Sequence, residues 1–434
     1  MAVTGNRLLT WRLGCFGLFG LLVLTFLVNA PQKATTAFSK LHGSVPSLSQ
    51  DTTRWGFGNA TAYNEGIDGL TDAQCDAEFP DLYLDVDRAV KYWNDKGHIT
   101  APDVDISESR AAVKILIHEK KLRVLHSISA VSTKWTTPER TLAVLHMIQR
   151  VLDAATVQGE QLPTIEVALN FQDDADPVTG THSFWSFARA LGKETHQNLW
   201  LMPNFDFWYY DPYGSFADAK WLAMQHDGAF ASKIPKIVWR GNANFGAEIR
   251  AQLVDVAKGQ PWADVEATDT VQKDQSSWMD PDALCDYAMT VYTEGATYSG
   301  RLKFLLNCQS LLFVHEPEYV THYSHLLKSD GPEQNCVLVK RDWSDLEEKV
   351  RWYLDHPDEA ERIIANSLAT FRSRYTTQAA TSCYLRRLIQ GYAKVAFTPE
   401  THVPLKVGTG TRLRGWSYEK YIASYKDGNF EAEE

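Results

Sequence analysis

Hydrophobic and polar positions change period along the chain. Ala112 to His118 and Leu122 to His126 are short apolar-rich runs split by Glu119, Lys120 and Lys121, which predicts a β-hairpin. Leu142, Leu145, Ile148 and Leu152 then fall on one face of a helix that begins near Thr137, with Pro138 at its first helical position. Thr164 to Leu169 reads as a buried strand. In the second half the alternation is regular: strand over Lys236 to Trp239, helix over Phe245 to Val256, helix over Ser299 to Gln309, strand over Leu311 to Val314, strand over Cys336 to Val339, helix over Leu346 to Leu354. From Pro357 to Val395 the pattern is helical, and this segment is expected to pack back on the first half.

Strands alternating with helices imply parallel sheets with crossover helices, and two such runs imply two doubly wound lobes facing a cleft in which a ligand sits. The expected segments are 66–225 for the first lobe, 226–356 for the second, and 357–434 for the C-terminal helices and tail.

The N-terminal pattern is different in kind. Leu13 to Ala30 is uncharged and apolar, and as a helix it would extend roughly 27 Å, close to a bilayer core of ~30 Å. Arg7 and Arg12 precede it and no acidic residue occurs before Asp51, so the positive-inside rule places 1–12 in the cytosol and the body in the lumen. A cleaved signal peptide is the competing reading, with Val28, Asn29 and Ala30 as a small-residue site, but Pro31 follows directly and the run is long for a signal core. The expectation is a signal anchor at 13–30 and a Ser/Thr/Gly-rich stem at 31–65, in a type II protein of the Golgi or ER membrane.

Composition narrows the function. With 44% hydrophobic and 12% aromatic residues the 434-residue chain can bury a large core, and its formal charge of -11 repels nucleic acid. Cys15 lies in the apolar run; Cys75, Cys285, Cys308, Cys336 and Cys383 would face an oxidising lumen, and no CxxC occurs to suggest zinc. Asn59 opens the sequon Asn-Ala-Thr, a glycosylation site on this topology.

Three stretches carry candidate chemistry. An apolar strand runs into Asn170, Phe171, Gln172, Asp173, Asp174, Ala175 and Asp176; carboxylates at a strand end can serve as a general base, and Asp-rich runs before Pro177 also form turns. Val238, Trp239, Arg240, Gly241 and Asn242 bring a guanidinium fork to a glycine turn, where it would suit a diphosphate or an ordinary ion pair. The third stretch, Glu294 to Lys303, puts Gly295, Ala296, Ser299, Gly300, Arg301 and Lys303 at a helix start, where cations oppose the helix dipole and so suggest an anionic ligand. It matches neither a Walker loop nor GxGxxG. His322 and His325 lack a third ligand for a metal, and Asp174-Ala175-Asp176 spells a DxD that could hold one.

Taken in order, these stretches resemble glycosyltransferase family 90, which includes capsule-associated xylosyltransferases and Rumi-type protein O-glucosyltransferases. The resemblance covers roughly Ile106 to Val395 and is most specific over Gly295 to Ser310, where Ser299, Arg301, Lys303, Cys308 and Ser310 fall at the family's spacing. It implies a GT-B-like fold and an inverting transfer of xylose or glucose from a UDP-sugar to a hydroxyl of a glycan or glycoprotein. Asp173 becomes the base, with Asp174 one residue away as its rival; Arg240, Gly241, Gly295, Ala296, Ser299, Arg301 and Lys303 become the nucleotide-sugar site. No metal or other cofactor is expected. The resemblance further implies the disulfides Cys285 with Cys308 and Cys75 with Cys383, leaving Cys336 free. Other cysteines of the Rumi-type branch are missing, which favours the capsule-associated branch and a polysaccharide acceptor. Two readings compete: a non-catalytic lumenal protein that binds glycans or sugar nucleotides, and a glycoside hydrolase pairing Asp173 with Asp206.

Overall fold

The computed structural model describes residues 66–128, 137–173, 180–210, 213–268 and 279–424. The proposed anchor, stem and sequon, and the Asp174-Ala175-Asp176 triplet, lie outside the described residues. Among the described residues no helix is long and apolar enough to cross a membrane.

The chain begins with helices α1 (Asp72–Glu78) and α2 (Leu84–Lys96), then strands β1 (Ala112–His118) and β2 (Lys121–Ile128), helix α3 (Thr137–Val157), and strands β3 (Ile165–Asn170), β4 (Phe184–Ser186) and β5 (Trp200–Leu201). After α4 (Phe216–Met224) come β6 (Ile234–Gly241), α5 (Ala247–Ala257), β7 (Ala263–Ala267), β8 (Tyr287–Tyr292), the single turn α6 (Leu302–Leu305), β9 (Leu311–His315) and β10 (Val337–Val339). Helices α7 (Leu346–Asp355), α8 (Pro357–Ser367) and α9 (Gln378–Ala393), strand β11 (Trp416–Ser417) and helix α10 (Tyr418–Ser424) complete it.

The second sheet, in the order β7-β6-β8-β9-β10, is parallel throughout and doubly wound. Its central strands β8 and β9 are buried along their whole length, as expected where both faces of a parallel sheet are covered. The first sheet corrects the expectation of a second parallel sheet. Its order is β11-β2-β1-β3-β4-β5, with each neighbouring pair from β11 to β3 antiparallel and only β3, β4 and β5 parallel. The cause is local. Glu119 and Lys120, both at positive φ (49° and 60°), make the two-residue turn between β1 and β2, and a connection that short can join only antiparallel strands.

Helix α9 lies on the first sheet. Tyr384 donates to the Leu201 carbonyl at 2.8 Å, Tyr392 to that of Glu166 at 3.2 Å, and the Tyr392 ring meets Trp185 and Trp200 edge-on. A disulfide joins Cys75 of α1 to Cys383 of α9. The chain reaches α9 through a π-helical stretch, Leu368–Tyr375, from which Arg372 grips Asp227 with two hydrogen bonds of 2.6 and 2.8 Å.

Candidate active site

In a doubly wound sheet the chain leaves two neighbouring strands in opposite directions at one point, and the crevice beyond their carboxyl ends receives ligands. Here the strands are β6 and β8. Beyond β6 lies Gly241 to Gly246, and beyond β8 lies Thr293 to Gly300. The two loops touch at Gly246 and Gly295: a β-carbon on Gly246 would sit 2.3 Å from the Gly295 carbonyl oxygen, and Gly246 adopts φ 73°. Only glycine fits such an approach in that conformation.

Two guanidinium groups converge on this contact. Arg250, buried on α5, donates from Nε to the Glu294 carbonyl at 2.8 Å and from Nη1 to that of Asn242 at 3.1 Å, bracing both loops. Arg301 donates to the Arg240 carbonyl and lies, like Arg250, near the Trp239 ring, at 5.8 and 5.9 Å. Among the described residues neither has a carboxylate partner. Burial pushes both below the ordinary arginine range, and for Arg250, brought down to about 10, the neighbouring Arg301 charge adds to the effect. Two braced, unpaired cations in a partly enclosed crevice favour an anion.

Arg240 is not part of this group. Residues alternate sides along a strand, so Trp239 and Gly241 face the Arg301 side while Arg240 faces away. Its guanidinium is held by Asp264, with Nη2 to Oδ1 at 2.6 Å and Nη1 to the Asp264 carbonyl at 2.8 Å. Lys303 is likewise engaged elsewhere. It is fully buried and pairs with Asp206 at 2.5 Å, while donating to the Gly300 carbonyl at 2.8 Å. The helix expected over Ser299 to Gln309 is one turn, Leu302–Leu305, because the chain reverses at Cys308, tied to Cys285. A single turn has no appreciable dipole, so the amides here act individually. Ser299 donates its N–H to the Tyr292 hydroxyl at 3.1 Å, Arg301 its N–H to the Ser299 hydroxyl at 3.4 Å, and Ala296 is exposed at the loop tip.

Asp173 comes from the first sheet, just beyond β3, and more than half of its side chain is exposed. Arg140 of α3 holds the carboxylate in a fork, Nη1 to Oδ1 at 2.9 Å and Nη2 to Oδ2 at 3.3 Å, and Arg140 itself rests on the Phe205 ring. The Thr297 hydroxyl donates to the Asp173 carbonyl at 2.8 Å, so the loop beyond β8 touches the strand end that carries Asp173. Beneath this junction Asp206 fills the space over Gly300, where a β-carbon would meet its Oδ2 at 2.5 Å. Burial raises the Asp206 carboxyl and lowers the Lys303 ammonium, and their mutual attraction opposes both shifts. Asp206 is enclosed and paired, so it does not form with Asp173 the open pair of carboxylates that the hydrolase reading requires.

The expected disulfides are both present, and Cys336 is free and buried. The histidines discounted as metal ligands part company: His322 is packed against Tyr384 and pushed down to about 3 by burial, whereas His325 bonds the Asp81 carbonyl. Arg250 and Arg140 went unrecognised in the sequence. Arg250 had a legible signal, since it occupies an apolar stripe with Ile249, Leu253 and Ala257.

An α/β architecture with its cations at a switch point and a carboxylate opposite them defines a class of ligand-handling proteins rather than a particular one. The particular family follows from comparison: residues 73–406 match the family described as Glycosyl transferase family 90, and the chain belongs to it. Part of the chain is 30% identical over 112 residues to Protein O-glucosyltransferase 2 of Danio rerio, covering 26% of this chain and 22% of that one. It is 32% identical over 108 residues to Protein O-glucosyltransferase 3 of Rattus norvegicus, covering 25% and 20%. Similarity to the O-glucosyltransferase LpsA of Dichelobacter nodosus is 26% over 141 residues, covering 32% and 43%. The matched segments thus span less than half the length of each relative.

Proposed function

We propose that this protein is an inverting glycosyltransferase that moves a sugar from a UDP-sugar to a hydroxyl of a glycan or glycoprotein acceptor in the secretory pathway. The observation that carries the proposal is the pair of guanidiniums, Arg250 and Arg301, without a carboxylate partner among the described residues, at the switch point of the second sheet, with Asp173 on the facing strand end. Donor groups on one sheet and the base on the other support a GT-B-like reading of the two lobes.

In this mechanism the diphosphate lies against Gly241, Gly295 and Ser299, with Ala296 near the ribose. Asp173 takes the proton of the acceptor hydroxyl; that oxygen forms a bond to the anomeric carbon from the face opposite UDP, and the bond to the phosphate oxygen breaks. Arg301 and Arg250 offset the charge that gathers on the departing phosphate, a role that needs fixed charge rather than covalent chemistry. Arg140 sets the direction of the Asp173 carboxylate. Lys303 and Asp206 support the loop from below, and Arg240 acts through the backbone carbonyl that Arg301 grips. The reaction so arranged requires no metal. The names of the relatives support glucose as the donor sugar; xylose is the smaller alternative, and the two differ by one hydroxymethyl group, worth ~1–3 kcal/mol in a pocket. A signal anchor at 13–30 would tether the body to an ER or Golgi membrane.

Titration calorimetry of UDP into the purified full chain in EDTA, wild type beside Arg301→Ala, tests the reading. Micromolar binding lost in the variant supports it. No binding by the wild type, with or without Mn²⁺, overturns it.

A further inference from the structure

A second concave site lies on the first lobe, away from the crevice. The groove, about 470 Å³, is lined by Arg123, Lys406, Arg412 and Lys420, with Trp416 and Gly415 among its walls and no carboxylate. Four like charges gathered in one groove repel one another, and a bound anion would offset that repulsion. Among the described residues none of these four cations forms a salt bridge. The adjacent Arg414 shows the alternative: it turns inward and pairs with Glu166 at 2.8 Å.

The groove is built rather than incidental. Gly415 adopts φ 67° and presses so closely on β2 that a β-carbon would meet the Val124 carbonyl oxygen at 2.5 Å. This approach lets Arg123 donate from Nε to the Arg414 carbonyl at 3.0 Å and from Nη2 to that of Gly415. An arginine carries five N–H groups, so three remain on a guanidinium already fixed in place. Lys420 stands 3.7 Å from the centre of the Trp416 ring, and Lys406 and Arg412 come from the hairpin that closes the other side. Arg123 lies two strands from β3, level with Glu166, an in-sheet distance of roughly 16 Å from Asn170 at ~3.3 Å per residue and ~4.8 Å per strand.

We infer that this groove binds an oxyanion carried on a sugar, a uronate or a sugar phosphate, and so holds the acidic part of an extended acceptor while another part reaches Asp173. A concave pocket lined by fixed cations suits a compact oxyanion on a sugar and does not suit a flat bilayer. The link to the acceptor rests on the transferase reading; the binding itself does not.

The test titrates the full chain with a tetrasaccharide of alternating glucuronate and N-acetylglucosamine, with its carboxyl-reduced neutral form, with inorganic phosphate and with phosphatidylserine vesicles, and repeats UDP binding in each variant. The acidic tetrasaccharide binds and the neutral form does not; Lys406→Glu with Arg412→Glu weakens it at least tenfold and leaves UDP affinity unchanged. The milder Arg412→Gln, at an exposed hairpin, shows the same direction if the double variant folds poorly. Saccharide binding by a wild type that does not bind UDP would support the groove and sink the transferase reading. Failure of the wild type to bind the acidic saccharide, equal binding of the neutral form, unaltered affinity in the variants, phosphate binding as tightly as the saccharide, or binding to vesicles alone would each overturn the inference.

Discussion

The hydroxyl of Thr297 donates a 2.8 Å hydrogen bond to the backbone carbonyl of Asp173, joining the loop beyond β8 to the strand end of the other sheet. The proposed donor loop and the proposed base are therefore placed relative to one another by the backbone as well as by packing. Thr297→Val keeps the shape and removes the donor. Turnover should fall about 3- to 10-fold, the equivalent of ~1 kcal/mol for one hydrogen bond, with UDP affinity changing by less than twofold. Equal losses in both would show that Thr297 only stabilises the loop.

The buried pair of Lys303 and Asp206 spans the same junction from beneath. Removing one partner strands the other charge, so Asp206→Asn should cost about 3–5 kcal/mol in urea unfolding, whereas Asp206→Leu with Lys303→Met recovers part of that loss. Stability of the single variant within 1 kcal/mol of wild type would mean that water reaches the pair.

Gly246→Ala probes the contact of the two loops. The new methyl cannot coexist with the Gly295 carbonyl at 2.3 Å, and the residue would also be held at φ 73°. UDP affinity should fall at least tenfold, while the far-UV spectrum stays as it was, because the collision lies in loops and not in the sheet.

A pH dependence follows from His226, which bridges Asp286 at 2.6 Å and Asp282 at 3.1 Å. Burial disfavours the imidazolium, but hydrogen bonds and attraction from the two carboxylates outweigh it and raise the pKa above the usual 6.5. A raised folded-state value means that the added stability is full below about pH 6.5 and is lost as pH rises through the folded pKa. The difference in urea midpoint between wild type and His226→Gln should therefore shrink steadily from pH 6 to pH 8.5. A constant difference over that range would show the contribution to be uncharged.

Elements whose identity rests on period were legible in the sequence. Helix α3 announced itself through Leu142, Leu145, Ile148 and Leu152, and β6, β9 and β10 through short apolar runs, whereas β7 and β8 were not read as strands although β8 is buried along its whole length. What was not legible depends on partners far along the chain. Lys303 beside a glycine loop looks like a phosphate ligand until Asp206, 97 residues earlier, is found against it. Strand β11 has two residues and hence no period, and only its pairing of Trp416 with Val124 makes it a strand. The placement of Arg240 follows from the strand's own alternation: with Trp239 and Gly241 on the Arg301 side, its side chain is directed away toward Asp264, while Arg250 in the apolar stripe of α5 lies at the loop contact.

The first sheet draws on both ends of the chain: β1 to β5 come early, yet α9, which carries Cys383, the disulfide partner of Cys75, and the edge strand β11 come from beyond residue 377. The second sheet and the helices that cover it come from one continuous stretch, β6 to α8. During synthesis, then, the lobe encoded second can close first, while the lobe encoded first waits, with its apolar face open, until almost all of the chain has emerged. A premature stop after α8 would not trim a tail. It would leave the earlier half without the helix and strand that finish it, and such a product should be insoluble even though every residue of β1 to β5 is intact.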